Sequence, residues 1–438
     1  MANETHTTLR SSLSVLRHGM YARFMVAELI SMVGSWMQTQ AQQFLVEEQA
    51  KTSLEQALIS FALMMVIPLF NPWGGTVADR GDRRRILICV VSIQALLSAL
   101  IGGLVYFHVW ALWQLAIISV MFGITHAFEG PAYSALLPQL VPREKLGAAV
   151  ALDRSVFHTA RVIGPALAGI MVATLGTQSA FFANALSFLG PIIILLMIPP
   201  APKVSAEEAK ARRSGFIDGW RHVRSDRPTF RMVLIMAASA LLCSPLVVIL
   251  LTFYARRTLH LDPMGIGWLM SLTGVGAVFA SFSLLAIPPA KRLLCIRLGA
   301  ALSVLAMLAL AAATNFPTAA VAFSLLTLGL NFLFGIGNQI VQERAPDALR
   351  GRVSAVASMS FVAVIPFSGI VIAALDGWLG MRTAIVVSAV GYALTAGFIL
   401  ARRWPQLTRD SVGPVKELTP TAEEIALEPQ IDADVRGN

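Results

Sequence analysis

Gly75-Thr-Val-Ala-Asp79-Arg80-Gly-Asp-Arg83-Arg84-Arg85 sets a carboxylate and a dense group of arginines directly after an apolar run long enough to cross a bilayer. A second apolar run begins at Ile86. The segment therefore reads as a short loop between two membrane helices. Its arginines fix it on the cytoplasmic side, because loops rich in Lys and Arg stay on the inner face.

Working outward, apolar residues make up 56% of the 438 positions and charged residues only 13%, against roughly 25% charged in an average soluble domain. The chain is a polytopic membrane protein. A spanning helix needs about 20 apolar residues. Runs of that length fall at 21–46, 54–78, 86–107, 110–136, 146–174, 178–198, 231–256, 264–286, 292–313, 318–342, 352–375 and 382–402, which predicts an all-α protein of twelve transmembrane helices. An even number puts both termini on one side. With that side cytoplasmic, only Lys51, Arg256, Arg257 and Arg382 fall in outer loops, and Arg154 and Arg161 lie inside a helix. The net charge of +9 follows from this bias; it orients the chain and attracts anionic lipid, and no nucleic-acid module is evident.

Arg10, Arg17 and Arg23 precede an apolar stretch that is too long for a signal-peptide core and is interrupted by Glu28 and Gln38, so it reads as a retained first helix. Cys89, Cys243 and Cys295 are odd in number and lack metal-ligand spacing; they read as small apolar residues, with no disulfide framework, metal or cofactor expected.

Residues 199–230 break the hydrophobic pattern with Pro199, Pro200 and Pro202 and a run of mixed charge. This divides the chain into an N-terminal six-helix bundle at 1–198, a cytoplasmic linker at 199–230 and a C-terminal six-helix bundle at 231–404, followed by an acidic, disordered cytoplasmic tail at 405–438. Within the linker, Phe216, Trp220 and Val223 recur at helical spacing among Arg221, Arg224 and Arg227. That spacing predicts a short amphipathic helix on the inner membrane surface. At an offset of about 204 residues Pro142 matches Pro346, Leu146 matches Leu349, Gly176 matches Gly380 and Ala180 matches Ala384, so the halves read as copies, a pattern found in transporters that bind near the midplane between two bundles.

Ser31-Met-Val-Gly34-Ser-Trp36-Met-Gln38, Gly75-x-x-x-Asp79-Arg80-x-x-Arg83-Arg84, Leu137-Pro138-x-x-Val141-Pro142-Arg143-Glu144, Ala160-Arg161-x-x-Gly164-Pro165-Ala-x-Ala-Gly169 and Leu349-Arg350-Gly351-Arg352-Val353 occur together and in order. On these the chain resembles the major facilitator superfamily, in its branch of enterobactin-exporter-like and macrolide-efflux-like bacterial proteins, over residues 15–405. The resemblance implies two pseudo-symmetric bundles around a cavity lined by the first, fourth, seventh and tenth spans. It also implies that Asp79 and Arg80, with Arg83 and Arg84, form a gate latch against Arg350 and Arg352 at the start of the eleventh span. Physically, Gly75 allows close helix approach and Asp79 can accept from free amides at a helix start or pair with an arginine. A topology signal alone would also place these charges.

The fifth span carries Gly164, Pro165 and Gly169 in a stretch similar to the antiporter motif of exporting members, with Ala where that motif has Gly at three positions. Small residues there permit tight packing and Pro165 removes a backbone hydrogen bond. Arg154, His158, Arg161 and Pro165 share one helix face. Arg161 lies deep, where a bare arginine costs about 2.5–3.5 kcal/mol, so it faces either backbone carbonyls as a strut or a wet cavity, as a substrate or counter-ion partner. Glu28, Glu129 and Asp153, with His126 a turn from Glu129, either carry a coupling proton or neutralise Arg154 and Arg161. Polar stripes at Ser35, Gln38 and Gln42 and at Asn331, Asn338 and Gln342 line the cavity or bond helix to helix. The fourth span reads Glu129-Gly-Pro131-Ala-Tyr133, without the arginine that the nearest relatives carry.

These features predict a secondary transporter of the bacterial inner membrane, working as a monomer, that exports a small organic molecule in exchange for protons. An importer or uniporter, or a transporter-like sensor, is the alternative. No Gly-x4-Gly-Lys loop supports ATP use, and the seven His and three Cys form no catalytic grouping, so the protein is not an enzyme.

Overall fold

In the computed structural model the described residues are 19–199, 216–285, 287–346 and 349–401. The tail at 405–438 and most of the linker, 200–215, lie outside them, as do the side chains of Asp79 and Arg80. All regular structure among the described residues is helical. The first half contains α1 (Gly19–Gln49), α2 (Ser53–Arg80), α3 (Arg83–Tyr106), α4 (Leu112–Leu136), α5 (Leu146–Leu175) and the pair α6 (Thr177–Ser187) and α7 (Leu189–Met197). After α8 (Phe216–Ser225), the second half contains α9 (Arg227–Leu242), α10 (Ser244–Val248) and α11 (Leu251–Arg257), then α12 (Pro263–Leu285), α13 (Arg292–Ala312) and α14 (Phe316–Arg344). It ends with α15 (Arg350–Val362), α16 (Ile365–Leu379) and α17 (Met381–Ala401).

Among the described residues ten helices or collinear pairs are long and apolar enough to cross a membrane. The other two expected spans are α1, which is 31 residues long but carries Glu28, Gln38, Gln40 and Glu47, and the series α9–α11, which is broken into short pieces. The breaks have a common cause. Pro191, Pro245 and Pro366 each follow a break by two or three residues, and a proline cannot donate to the carbonyl one turn back. Pro131 and Pro165 instead sit inside continuous helices.

Within the first half α1 packs on α5 and α6, α2 on α4, and α3 between α4 and α6; within the second, α13 lies against α14 and α17, and α12 against α14. The halves meet through α5 with α12 and α2 with α16. Counted in spans, these contacts join the fifth to the eighth and the second to the eleventh, which are the same contact under a shift of six. Gly176 and Gly380, matched by the sequence repeat, share a backbone conformation as well: φ 83° and ψ 162° for one, φ 79° and ψ 153° for the other. Each turns the chain between the last two spans of its half.

One sequence expectation is corrected at the arginine loop. Gly74, not Gly75, makes the close approach: a Cβ on Gly74 would lie 2.0 Å from the Ala127 carbonyl, whereas one on Gly75 would meet open space. One residue of rotation on a helix is about 100°, which turns Gly75 away from α4. The helix-start amides of α3 are taken by Asp82, whose carboxylate accepts from Arg84 N at 3.1 Å and Arg85 N at 3.4 Å; the Asp79 side chain, expected at such amides or beside an arginine, lies outside the described residues. Asp82 directly precedes the first turn, the position where a carboxylate reaches those donors.

The amphipathic helix of the linker forms as α8, and it docks on the second half. Val223 is fully buried, and Gly219 lies so close to α15 that a Cβ would be 2.7 Å from the Arg352 carbonyl. Two ion pairs clamp it: Asp218 with Arg352 at 2.8 Å, and Asp226 with both Nε and a terminal nitrogen of Arg344 at 2.8 Å. Ile217 and Trp220 point outward. At the far end of the molecule Tyr106, Phe107, Trp113 and Trp378 are exposed, an aromatic girdle at the level where such rings sit in a bilayer interface.

Backbone at positive φ with ψ near 160° is close to a glycine-only region, and nothing crowds the absent Cβ of Gly380. Gly380→Ala is therefore expected to cost roughly 1–3 kcal/mol through backbone strain alone, read as a lowered unfolding midpoint of the detergent-purified protein. Burial pushes the Asp226 carboxyl up, but the bonds from Arg344 and Thr229 outweigh it and hold it below the usual carboxylate range. Its contribution is thus complete above that range and lost only as pH falls through and below it. Asp226→Asn, which takes a carboxylate away from the buried Arg344 guanidinium, is expected to destabilise by about 3 kcal/mol at pH 7 and to narrow the gap to wild type at strongly acid pH in the same measurement.

Candidate functional site

A cavity of about 320 Å³ lies between the halves, walled by Ser35, Gln38 and Gln42 of α1, Arg161 and Pro165 of α5, and Val247, Ile249, Thr252 and Met270 of the second half. It shares Ser35, Trp36, Thr39 and His126 with a second cavity of about 460 Å³ inside the first half, which Glu28, Glu129, Tyr133, Asp153 and Arg154 line. The polar face of α1 serves both because residues three and four apart fall in one line on a helix.

Arg161 stands in the middle of α5, 15 residues from Leu146 and 14 from Leu175, or about 22 and 21 Å from its ends at 1.5 Å per residue. Its guanidinium lies 5.6 Å from the ring centre of Trp36, which in turn meets Phe157 edge-on at 5.8 Å. Gly164 makes this wall possible: a Cβ there would lie 2.5 Å from the Trp36 Cβ. No described carboxylate pairs with Arg161, and its Nε is buried without an acceptor. The strut reading, with Arg161 bonded to carbonyls, is not what the side chain does.

The carboxylates are sorted by their partners. Glu129 Oε2 lies 2.8 Å from His126 Nδ1 and accepts from Gln94 Nε2 at 2.8 Å. Asp153 accepts from the Tyr133 hydroxyl at 2.6 Å. Glu28 is buried, with no hydrogen bond among the described residues. The sequence did not single out Gln94, although a lone amide in an apolar run was the available signal. Neither did it find Asn184, which donates to Gln38 Oε1 at 2.8 Å beside a bond from Ser98. Gln42 donates to Ser119. The stripe of α1 therefore does both things expected of it: it walls the cavity and ties α1 to α3, α4 and α6. Arg154 is exposed at the second cavity, and His158 is half-buried with its ring against Phe157.

The second half contributes differently. Asn331, Asn338 and Gln342 are not among the residues lining either cavity, and Asn331 donates to Thr327 O of its own helix at 2.8 Å. The broken span α9–α11 supplies the wall instead.

The side chains of Asp79 and Arg80, expected in the latch, lie outside the described residues, and its other members make bonds within their own halves. Arg83 donates to Ala135 O at 3.2 Å, Arg84 to Leu195 O and Leu196 O at 2.6 and 2.8 Å, Arg350 to Gln342 O at 3.3 Å, and Arg352 to Asp218. At the opposite end the halves are joined. Glu47 accepts from Arg257 at 3.1 Å and lies 3.4 Å from Arg256. Gln40 donates to Thr252 at 3.3 Å, and Ser53 to Asp376. A Cβ on Gly267 would be 2.5 Å from Pro165 O, so Gly169 and Gly267 bring α5 and α12 into backbone contact beneath this lock.

A polar chamber at mid-depth, sealed at one end by contacts between two repeated halves, is the architecture of a membrane transporter. The chain belongs to the transmembrane secretion effector family of the major facilitator superfamily: that family's model matches residues 10–432. It is similar to the multidrug efflux pump Tap of Mycobacterium tuberculosis, 24% identical over 90% of this chain and 95% of that one. It is also similar to the staphyloferrin A transporter of Staphylococcus aureus, 27% identical over 43% of this chain, a match that spans about half (48%) of that protein's length. Among solved structures, a bacterial homologue of the human lysosomal transporter Spinster, inward-facing and unoccupied, superposes with a TM-score of 0.69 at 13% identity over 88% of this chain and 96% of that one. An inward-facing bacterial homologue of ferroportin gives 0.66 at 17% identity over 87% and 98%.

Glu47 is the hub of the seal, with its side chain 7% exposed between two arginines. In a cysteine-depleted protein, a cysteine at buried Thr252 is expected to react several-fold faster with a membrane-impermeant maleimide once Glu47→Gln is added. Unchanged labelling would assign the seal to the glycine contact instead.

Proposed function

We propose that the protein is a proton-coupled exporter of small organic molecules that works by alternating access in the bacterial inner membrane. The arginine-bearing end is cytoplasmic, both termini lie on that side, and the conformation described is the one that loads cargo from the cytoplasm. The bundles 1–198 and 231–404 move against each other about the α5–α12 and α2–α16 seams. The observation that carries this reading is the chamber at mid-depth, with the halves locked together at the Glu47 end and Arg83, Arg84 and Arg352 of the other end bound within their own halves. In the opposite state Arg83, Arg84 and Arg352 are released to meet across the cytoplasmic end with Asp79 and Arg80.

Glu28, Glu129 and Asp153 supply the coupling. Glu28 has no hydrogen-bond partner among the described residues, Glu129 is held by an imidazole and an amide, and Asp153 by a phenol, so the three offer a proton different sites along one cavity. The cavity they line narrows as the cytoplasmic end closes, so cargo and proton exclude one another. Two relatives named for efflux, the multidrug efflux pump Tap and macrolide efflux protein A of Streptococcus pyogenes, support the outward direction.

Everted vesicles containing the wild type are expected to accumulate at least one compound from a panel of dyes, macrolides and siderophores when a pH gradient is imposed, and to lose it on adding a protonophore. One of Glu28→Gln, Glu129→Gln or Asp153→Asn, at matched abundance, is expected to keep substrate counterflow while losing gradient dependence. Gradient dependence that survives in all three would reject the proton assignment.

A further inference from the structure

The chamber beside Arg161 has a charge character that the exporter reading does not require. Its lining contains one arginine and one histidine and no aspartate or glutamate. The acidic side chains are all in the adjoining cavity, where Arg154 stands among them. Arg161 is thus a cation about 21 Å from either end of its helix, with a tryptophan face at 5.6 Å, an Nε without an acceptor and no described carboxylate in ion-pair contact. Glu129 and Asp153 have their own partners. Glu28 lies eight residues from Trp36 along α1, about 12 Å of helix.

An arginine at this depth is costly to insert unless something answers its charge, and guanidinium is built for fork-like recognition of carboxylate. The rest of the wall is apolar or neutral: Met64, Ile67, Phe122, Val247, Ile249 and Met270 face amides from α1. A cationic ligand would meet repulsion here, and a neutral one would leave the guanidinium unanswered.

We propose that Arg161 receives an anionic group of the cargo, so that the molecules exported are organic acids with a compact apolar body stacked along Trp36. The inference rests on the exporter reading for the word cargo, and on the chamber alone for the chemistry. A volume of about 320 Å³ is at the lower end of small-molecule sites, which suits an acid with one or two fused rings.

The test is equilibrium binding to the full-length protein in detergent, which needs no gradient or flux. Three probes share a body and differ in charge: 1-naphthoate, 1-naphthamide and 1-naphthylmethylammonium, each titrated calorimetrically in sodium gluconate and again in sodium chloride. Naphthoate is expected to bind at least tenfold tighter than the amide, and the ammonium weakest. Arg161→Gln, checked for a monodisperse profile, is expected to reduce naphthoate to the level of the amide, with Arg161→Lys between. Should Arg161→Gln not fold, the ranking of the three probes on wild type decides. Equal binding of the probes, no binding of naphthoate, a naphthoate preference that persists in Arg161→Gln, or saturation by chloride that abolishes the preference would each overturn the proposal. Those results leave gradient-driven efflux untouched, whereas loss of efflux with naphthoate binding intact would overturn the exporter reading and keep the site.

Discussion

Inside a bilayer a polar side chain has no water to turn to, and the whole arrangement of this protein follows from where its polar groups go instead. The amides of α1 are either consumed by Ser98, Ser119 and Asn184 or turned into the chamber. A helix carrying so many such groups cannot face lipid, so α1 is held at the centre of its half, against α5 and α6. The chamber is what remains where the polar face of α1 meets a largely apolar wall from the second half and neither fills the space between them.

The two halves touch where side chains are smallest. Along the α5–α12 seam, Gly169 against Gly267 and Gly267 against the Pro165 carbonyl replace side-chain interdigitation with backbone contact, and a surface of that kind slides or pivots with little repacking. Ion pairs and hydrogen bonds then select one end. Glu47, Gln40 and Ser53 hold the end away from the arginine loop, while Arg84 and Arg352 at the other end are bound locally. The bundle is in this sense bistable: its seam is permissive and its termini decide.

Much of the fold was legible because hydrophobic length is a strong signal. The expected span at 146–174 became α5 at Leu146–Leu175, and that at 292–313 became α13 at Arg292–Ala312. The glycine pair 176 and 380 carried the repeat through to matched φ and ψ. Less legible was which of two adjacent residues faces a neighbour. Gly74 and Gly75 are indistinguishable in sequence, and only the rotation of α2 against α4 gives the close approach to the first. The α1 stripe and Arg161 were found because polar residues in an apolar run stand out. The stripe of α14 stood out equally and lines neither cavity, since the wall of the second half is made of apolar side chains exposed by breaks in α9–α11. Pairings across long separations, such as Asp226 with Arg344 or Glu47 with Arg257, leave no local trace in a single chain.

The aromatic girdle has a consequence for the working cycle. Tyr106, Phe107 and Trp113 belong to one bundle and Trp378 to the other, so each bundle grips the headgroup layer through rings of its own. Parting the bundles at that rim drags two sets of anchors through the lipid interface in opposite directions. The bilayer acts as a spring mounted across that rim, and its thickness and headgroup packing enter the rate of opening as a mechanical load.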